Sequence, residues 1–303
     1  MEIFIISLIA ATLRVATPLI FGTIGELFAE RAGILNLGIE GTMFFGAFVG
    51  FWVGDISGSL WTGLLAAFVA GALAGLLMGL FTVSLGVNQH VSGIGITLLL
   101  TGLSLFRFRL LYGEPRIPPS IDPFPQLAIL DESNVLAPLL DQYALTYIAL
   151  ILVPLVWWVL YRTDFGLNLR AVGENPEAVD AAGVNVFFIR YLALAIGGGF
   201  MAVGGAFLSI AQLGAFTYGI IAGRGWVCIA LIIFGNWEPI KVLWGALLFG
   251  GVFALQLRLQ ITGLDLPYEV FLALPYLVTI IALALAGRGA TAPAALLKPY
   301  KRE

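Results

Sequence analysis

The chain has 303 residues, of which 60% are hydrophobic and only 11% are charged, and its mean hydropathy is +1.00. This composition excludes an ordinary soluble domain, and the formal net charge of −3 points to no particular partner because most charges fall between apolar runs. The single cysteine, Cys228, excludes an intrachain disulfide and a cysteine-rich metal site.

Apolar segments long enough to cross a membrane follow one another along the chain. Residues 56–106 and 191–223 contain no Asp, Glu, Lys or Arg, and one crossing needs about 20 apolar residues. We therefore predict one all-α transmembrane domain over residues 1–303, a polytopic protein with about eight to ten membrane-spanning helices. The expected long spans are 3–24, 35–53, 60–85, a fourth ending near 110, 143–161, 188–213, 240–257 and 268–286.

The first two spans carry charged residues at unusual depths. Arg14 lies inside the first span, and because an intramembrane arginine is costly we favour a structural pairing over a functional role. Glu26, Glu30 and Arg31 predict a short aqueous turn between the two spans. Glu40 follows about a turn into the second span, and two interpretations stay open. It is either a carboxylate near the membrane interface with a hydrogen bond to a neighbouring helix, or a functional group on a path through the bundle or at a contact with a second membrane subunit.

Regular glycine spacing predicts close packing of the second and third spans. Small residues four apart let helix backbones approach each other in lipid, so we expect a tight bundle rather than a wide pore. The glycines concerned are Gly46, Gly50 and Gly54 in one span and Gly71, Gly75 and Gly79 in the other.

Two polar stretches separate the next spans. The first, GVNQHVSG at 86–93, contains the only histidine, His90. It is interpreted either as a helix break near the membrane midplane, where transporters form their sites, or as a short turn at the cytoplasmic surface. The second, residues 112–142, contains six prolines. Prolines argue against regular helix, so we predict an external loop. We favour a solvated loop over a surface that docks a partner.

The polar sequence RAVGENPEAVDAAGVNVFFIR, at 170–190, has a complete short-helix signature. Asn175 suits the N-cap, Pro176 the first helical position and Gly183 the C-terminal stop. The predicted helix has about two turns, with Ala178, Ala181 and Ala182 on one small-residue face. Such a face fits either an ordinary surface helix or a helix that docks in a partner's groove.

The last third of the chain leaves the topology least certain. The apolar run at 223–234 is too short for a comfortable crossing, so we predict a half-helix or re-entrant segment. Counting it as a crossing gives nine crossings, with the N-terminus outside and the tail inside. Nine basic residues then face the cytoplasm and five face the exterior, as the positive-inside rule requires. The tail residues in that count are Arg288, Lys298, Lys301 and Arg302.

Catalytic motifs are absent from the sequence. It contains no GxxxxGK[ST] phosphate loop and no HExxH, and one histidine with one cysteine leaves little for nucleophilic catalysis. We therefore expect a non-catalytic chain, with no catalytic residues and no metal site.

Four phrases resemble one family, the permease subunits of bacterial ABC importers for branched-chain amino acids, simple sugars and nucleosides. They are ERAGILNLGIEG, NQHVSG, RAVGENPEAVDAAGVNV and GRGWVCIALIIFGNWEP. The combination is most similar to the nucleoside-type branch, although His90 departs from the family's phrase. The resemblance implies a cytoplasmic coupling loop at about 162–190 that docks on an ATPase. The implied coupling residues are Gly173, Glu174, Asn175, Pro176, Glu177, Ala178, Ala181, Ala182 and Gly183.

The resemblance also implies a set of partners and a site of action. The partners are an ABC ATPase, a second permease of the same or a different sequence, an extracytoplasmic substrate-binding protein and membrane lipid, with no nucleic acid. The chain itself needs no cofactor, because ATP and Mg²⁺ belong to the ATPase. The expected location is the bacterial cytoplasmic (inner) membrane.

The expected function is ATP-driven import of a nucleoside or related small polar solute. Polar residues in apolar surroundings are our candidates for the translocation path. They are Asn36, Glu40, Asn88, Gln89, Ser92, Gly93 and Thr97. The alternatives are import of simple sugars or branched-chain amino acids, or an ion-coupled secondary carrier, which has no reason to keep a docking helix.

Overall fold

The computed structural model describes residues 2–113, 119–130, 134–261, 268–286 and 289–300. The regular elements of the described chain are all helices, which confirms the predicted all-α class. Four of the basic residues used to predict the orientation lie outside the described residues: Arg116, Arg288, Lys301 and Arg302. The helices are α1 (Glu2–Arg31), α2 (Ile39–Ser57), α3 (Leu60–Gly79), α4 (Gln89–Tyr112), α5 (Ala137–Leu140), α6 (Ala144–Arg162), α7 (Asp164–Glu174), α8 (Pro176–Ala181), α9 (Val186–Ala206), α10 (Arg224–Phe234), α11 (Pro239–Ile261) and α12 (Tyr268–Ala286).

Seven helical segments of the described chain are long and apolar enough to cross a membrane. Short π-helical turns, Leu80–Ser84 and Phe207–Leu213, extend α3 and α9. Of the other helices, α10 is a shorter apolar helix of 11 residues, as its sequence predicts. The seven segments are Phe4–Arg31, Ile39–Ser57, Leu60–Ser84, Gln89–Tyr112, Ala144–Arg162, Val186–Leu213 and Pro239–Gln260.

The bundle is built around α9, which packs against α1, α2 and α3. The predicted glycine contacts are confirmed at this centre. A Cβ added to Gly46 would overlap the carbonyl oxygen of Ala202, and one added to Gly71 would overlap that of Gly198. Backbone-to-backbone contact of this kind gives a closely packed bundle without large apolar side chains at the contact.

The predicted aqueous turn after the first span is wrong. Helix α1 continues to Arg31, and Glu26 and Glu30 are almost completely buried. Glu30 Oε2 accepts a hydrogen bond from Trp237 Nε1 at 2.6 Å, and Glu26 Oε1 accepts one from the Asn36 backbone N–H at 2.7 Å. Each carboxyl group therefore has one paired oxygen, while Glu26 Oε2 and Glu30 Oε1 have no hydrogen-bond partner among the described residues. The second long helix begins only at Ile39.

Arg14 has the structural pairing that its position predicts. Its Nε donates to Gln142 Oε1 at 3.1 Å, at the end of the loop that precedes α6. Within that loop the described residues contain only the short helix α5.

Contacts assign the helix ends to two poles of the bundle. The tail pole is defined by Arg31, Gly173 and Ala295: the Ala295 N–H donates to Gly173 O at 2.8 Å, and a Cβ on Gly173 would overlap Arg31 O. The loop pole lies at the other end of α1, where Arg258 Nη1 donates to Phe4 O at 3.2 Å. The C-terminal ends of α9 and α11 also lie at the loop pole.

Residues 214–237, which follow α9, cross the bundle as two halves that differ in structure. At the loop pole Gly214 O accepts from the Ile121 N–H at 2.8 Å, and the chain then continues without helix to Gly223. Ala222 (φ 52°) and Gly223 (φ 80°) adopt left-handed conformations just before α10 begins. Cys228 Sγ contacts Leu19 O at 3.7 Å, midway along α1, and Trp237 reaches Glu30 at the tail pole. This segment is thus a broken crossing, with a non-helical half and a helical half.

Candidate functional site

Helix α8 has the caps that the sequence predicts. Asn175 Oδ1 accepts from the Ala178 N–H at 3.0 Å, Pro176 occupies the first turn, and Gly183 follows the helix with φ 84°. These contacts are all local in sequence, which is why the pattern alone specifies the helix.

One side of this segment is exposed and consists mostly of small side chains. We call it the docking face, formed by Glu174, Asn175, Glu177, Ala178, Ala181, Ala182 and Gly183. Val179 points the other way and is buried in the main core cluster. Gly173 is also buried, so the nine predicted coupling residues divide into an exposed face and its inner support.

Helix α7 fixes the docking face to the bundle. Thr163 Oγ1 accepts from the Gly166 N–H at 3.2 Å at the start of α7. Arg170 Nε donates to Leu160 O at 2.9 Å, and its guanidinium lies 4.7 Å from the centre of the Tyr161 ring. These contacts join α7, which leads into the docking face, to the end of α6.

The C-terminal tail covers the base of the same segment. In addition to the bond from Ala295 to Gly173, the Ala294 N–H donates to Glu174 Oε2 at 3.2 Å. The rings of Phe187 and Tyr300 are 5.9 Å apart. The sequence does not predict this contact, because the composition of the tail does not indicate which segment it packs against.

Arg190, one of the nine basic residues that the sequence assigns to the cytoplasmic side, is 1% exposed. Its Nε donates to Ala32 O at 3.1 Å, while Nη2 has no hydrogen-bond partner among the described residues. This arginine therefore joins α9 to the turn after α1 instead of contributing to the surface.

Glu40 holds the start of α10. Its Oε1 accepts from the Gly223 N–H and its Oε2 from the Gly225 N–H, both at 2.8 Å. A carboxylate at this place satisfies otherwise unpaired backbone donors and complements the helix dipole. Of the two interpretations of Glu40, the contact with a neighbouring helix is the one observed.

Most of the other candidate path residues meet at the junction between α4 and residues 33–38. Gln89 Oε1 accepts from the Leu35 N–H at 2.8 Å, and Thr97 Oγ1 donates to Leu37 O at 3.0 Å. A Cβ on Gly93 would lie 2.7 Å from Leu37 Cβ. Asn36 is buried nearby, where its Oδ1 accepts from the Gly38 N–H at 3.0 Å.

The remaining two candidates also belong to the first turns of α4. Asn88 caps this helix, since its Oδ1 accepts from the His90 N–H at 2.9 Å. Ser92 is buried, and its Oγ has no partner in the part of the chain that the structure describes.

A cavity of about 290 Å³ lies beside this junction at the tail pole. It is bounded by Thr82, by residues 86–90 of the GVNQHVSG stretch and by Leu297 and Pro299 of the tail. This location favours the short surface turn over a midplane break as the interpretation of residues 86–93.

A second cavity, of about 270 Å³, contains residues that the sequence reasoning missed. Its polar lining includes Arg224, Gln256, Gln260 and Tyr276. A signal was present, because two glutamines four residues apart on the otherwise apolar α11 share one helix face.

The described residues of the site supply hydrogen-bonding groups and small exposed side chains. Among the described residues, no group of three or more His, Cys, Asp or Glu side chains could hold a metal ion. The geometry presents instead an exposed face of mostly small side chains at the tail pole and two cavities with polar lining residues.

Residues 8–283 match the protein family described as "Branched-chain amino acid transport system / permease component". The chain is 40% identical to "Putative glucose ABC transporter permease protein TsgC13" of Haloferax volcanii, covering 99% of each chain. It is 37% identical to the guanosine ABC transporter permease protein NupQ of Bacillus subtilis, covering 97% of this chain and 96% of the relative.

Two further similarities agree with the family match. The nucleoside ABC transporter permease protein NupC of Lactococcus lactis is 36% identical, covering 95% of this chain and 94% of the relative. A solved ABC transporter structure in an inward-facing conformation aligns with a TM-score of 0.52 at 16% identity, covering 92% of this chain and 85% of that chain. At this identity the structural likeness supports the fold alone.

Proposed function

Because the chain belongs to the permease family of branched-chain amino acid transport systems, we propose that it forms half of the membrane pathway of an ATP-driven nucleoside importer. It is the transmembrane, non-catalytic component of an ABC transporter. ATP and Mg²⁺ bind to a separate ATPase, a second permease completes the pathway, and an extracytoplasmic binding protein delivers the substrate. The complex lies in the cytoplasmic membrane with the tail pole inside.

The docking face carries the proposal for ATPase coupling. It is exposed, nearly free of bulky side chains and tied by α7 to α6, so a partner bound there can move membrane-spanning helices. A self-sufficient secondary carrier has no use for such a surface. The nine coupling residues between Gly173 and Gly183 then have two roles. The exposed ones contact the ATPase, and Gly173 and Pro176 hold the helix in place.

The path residues remain a proposal of their own. Gln89 and Thr97 hold α4 against residues 33–38 in this conformation, so the inner end of the path opens when this junction separates. Asn36, Asn88, Ser92 and Gly93 then face the solute, while Glu40 keeps the broken crossing in position. This behaviour corresponds to alternating access by movement of one helix group against another.

Nucleosides are the substrate class that we propose. The family includes relatives named for guanosine and for nucleosides at 36–37% identity. A relative named for glucose at 40% identity makes simple sugars the second candidate. Direct uptake must decide between the two, since the permease shares selectivity with the binding protein.

The first test is purification of this chain from its native membrane with its partners. We expect an ATPase and a second permease to accompany it. Glu177→Arg should weaken ATPase association at least about tenfold, because reversing a charge within an interface costs several kcal/mol. Asp122→Arg, at an exposed carboxylate far from the docking face, is the matched control. A chain that purifies alone and transports without ATP would establish the carrier instead.

The second test is uptake of radiolabelled guanosine and glucose by proteoliposomes that contain the complete importer. We expect ATP-dependent guanosine uptake that excess adenosine inhibits and excess glucose does not. Uptake of glucose alone would replace the nucleoside proposal with the sugar one while leaving the coupling proposal unchanged.

A further inference from the structure

The cavity of about 270 Å³ lies where α1, α10, α11 and α12 meet, in the loop-pole half of the bundle. We call it the aromatic–amide cavity. Its inner end is Arg224 at the start of α10, and its lining continues along α11 from Phe249 to Gln260. Arg258, within the same stretch of α11, contacts Phe4 at the loop pole. The cavity is therefore placed to receive a solute from the side opposite the docking face.

Three aromatic rings supply flat apolar surface to the cavity. Phe249 and Phe253 are two positions of one face of α11, and Tyr276 comes from α12. The Arg224 guanidinium lies 5.4 Å from the centre of the Phe253 ring. A planar ligand gains stacking energy from such surfaces, both from the rings and from the guanidinium plane.

Two amide side chains line the cavity, and one of them has a hydrogen-bonding group without a partner among the described residues. Gln256 is 3% exposed, and Gln260 lies one turn further along. Gln260 Nε2 is buried and has no hydrogen-bond partner in the described part of the chain. A buried donor without a partner is unfavourable, so a ligand acceptor at this place would relieve that cost.

The charge of the cavity wall favours a neutral ligand. Arg224 is held by its own turn, since Nη1 donates to Ile220 O at 3.1 Å and to Ile221 O at 2.9 Å. The Glu40 carboxylate at the same helix start attracts Arg224 and offsets its positive charge. No carboxylate is among the described lining residues, so the ammonium group of an amino acid would find no counter-charge there.

We propose that the aromatic–amide cavity binds the base of a nucleoside on its way across the membrane. This inference rests on the proposed function and adds the binding site to it. The base stacks on the Phe253 and Tyr276 rings. Its ring-nitrogen and carbonyl acceptors receive hydrogen bonds from the Gln260 amide and the Arg224 guanidinium, which are donor types that recognise base edges. A purine such as guanine offers two adjacent acceptors of this kind.

Photolabelling of the complete importer in nanodiscs tests the site, with 8-azidoguanosine as the probe. We expect the label on peptides of α11 or α12 and its suppression by excess guanosine but not by glucose. Gln260→Leu and Phe253→Leu should each lower labelling about tenfold, because each removes a hydrogen bond or a stacking surface. Phe253→Tyr, which keeps the ring, should retain it.

Matched controls separate loss of the site from loss of the fold. Gln212→Leu removes an exposed amide, and Trp244→Leu removes an exposed aromatic ring from α11 itself; neither should change labelling. Each variant is accepted only if it still co-purifies with its ATPase.

Two results overturn the inference, and they differ in what they leave standing. If the wild type imports guanosine but the cavity variants label normally, or the label lies elsewhere, the cavity is not the site and the proposed function stands. If the wild type imports no guanosine, the proposed function fails and the nucleoside site fails with it.

Discussion

Glu40 illustrates how one side chain can determine the path of a distant segment. The broken crossing begins its helical half where Glu40 accepts the Gly223 and Gly225 N–H groups. A Cβ on Gly225 would lie 2.7 Å from Glu40 Cα, so the backbone must approach this closely for the contact to form. Glu40, in the first turn of α2, therefore stabilises the broken crossing. Within the described ranges, this is the one crossing without a continuous helix.

We predict that Glu40→Ala destabilises the purified permease by about 2 kcal/mol, because two backbone donors inside the bundle lose a charged acceptor. Gly225→Ala should destabilise it as well, by separating the same two segments. Thermal unfolding in detergent measures both changes, and Asp122→Ala, at an exposed carboxylate, is the control. A Glu40→Ala protein as stable as the wild type would show that the cap contributes nothing.

The sequence predicts that Glu40 is unusual but not what it contacts. Its partners are more than 180 residues away, so local pattern cannot identify them. The same holds for Glu30, whose burial depends on Trp237 and which looked like part of an aqueous turn. Residues such as Asn175 and Gly183 behave differently, since their hydrogen bonds and backbone angles are set within a few positions of the chain.

The docking face depends on a tail that is distant in sequence. Helix α8 has only six residues, and a helix this short has little stability of its own. Its support comes from the buried Val179, from α7 and from the tail bonds to Gly173 and Glu174. The helix could be predicted from its caps, whereas its support could not.

We predict that Ala295→Pro weakens ATPase binding several-fold, because proline lacks the N–H that donates to Gly173 O. The loss of one hydrogen bond is worth about 1 kcal/mol, which corresponds to about a fivefold change in affinity. Titration of the purified ATPase against permease in nanodiscs measures it. Ala292→Pro, in the same tail, is the control for position. Equal effects of both variants would argue against a specific role of the hydrogen bond from Ala295 to Gly173.

The broken crossing determines whether the tail lies on the same side of the membrane as the docking face. A re-entrant segment between α9 and α11 would return to the loop pole and place the tail opposite the docking face. The segment instead continues from Gly214 at one pole to Trp237 at the other. Thr291 then lies beside Asn236, whose Oδ1 accepts its N–H at 2.9 Å. The docking face and the tail consequently share one pole, as contact between them also requires.

We therefore predict that cysteines introduced at Ala182 and Ala292 are labelled from the same side of the membrane, and that one at Asp122 is labelled from the other. In cells that produce the permease without its ATPase, membrane-impermeant maleimide should reach Asp122→Cys while the cells are intact. It should reach the first two only after permeabilisation, because the basic residues at the tail pole favour the cytoplasm. Cys228 is completely buried and provides an unreactive background. Labelling of Ala182→Cys and Ala292→Cys from opposite sides would mean that residues 214–237 do not cross. Labelling of all three in the reverse sense would invert the orientation and remove the docking face from the compartment where ATP is available.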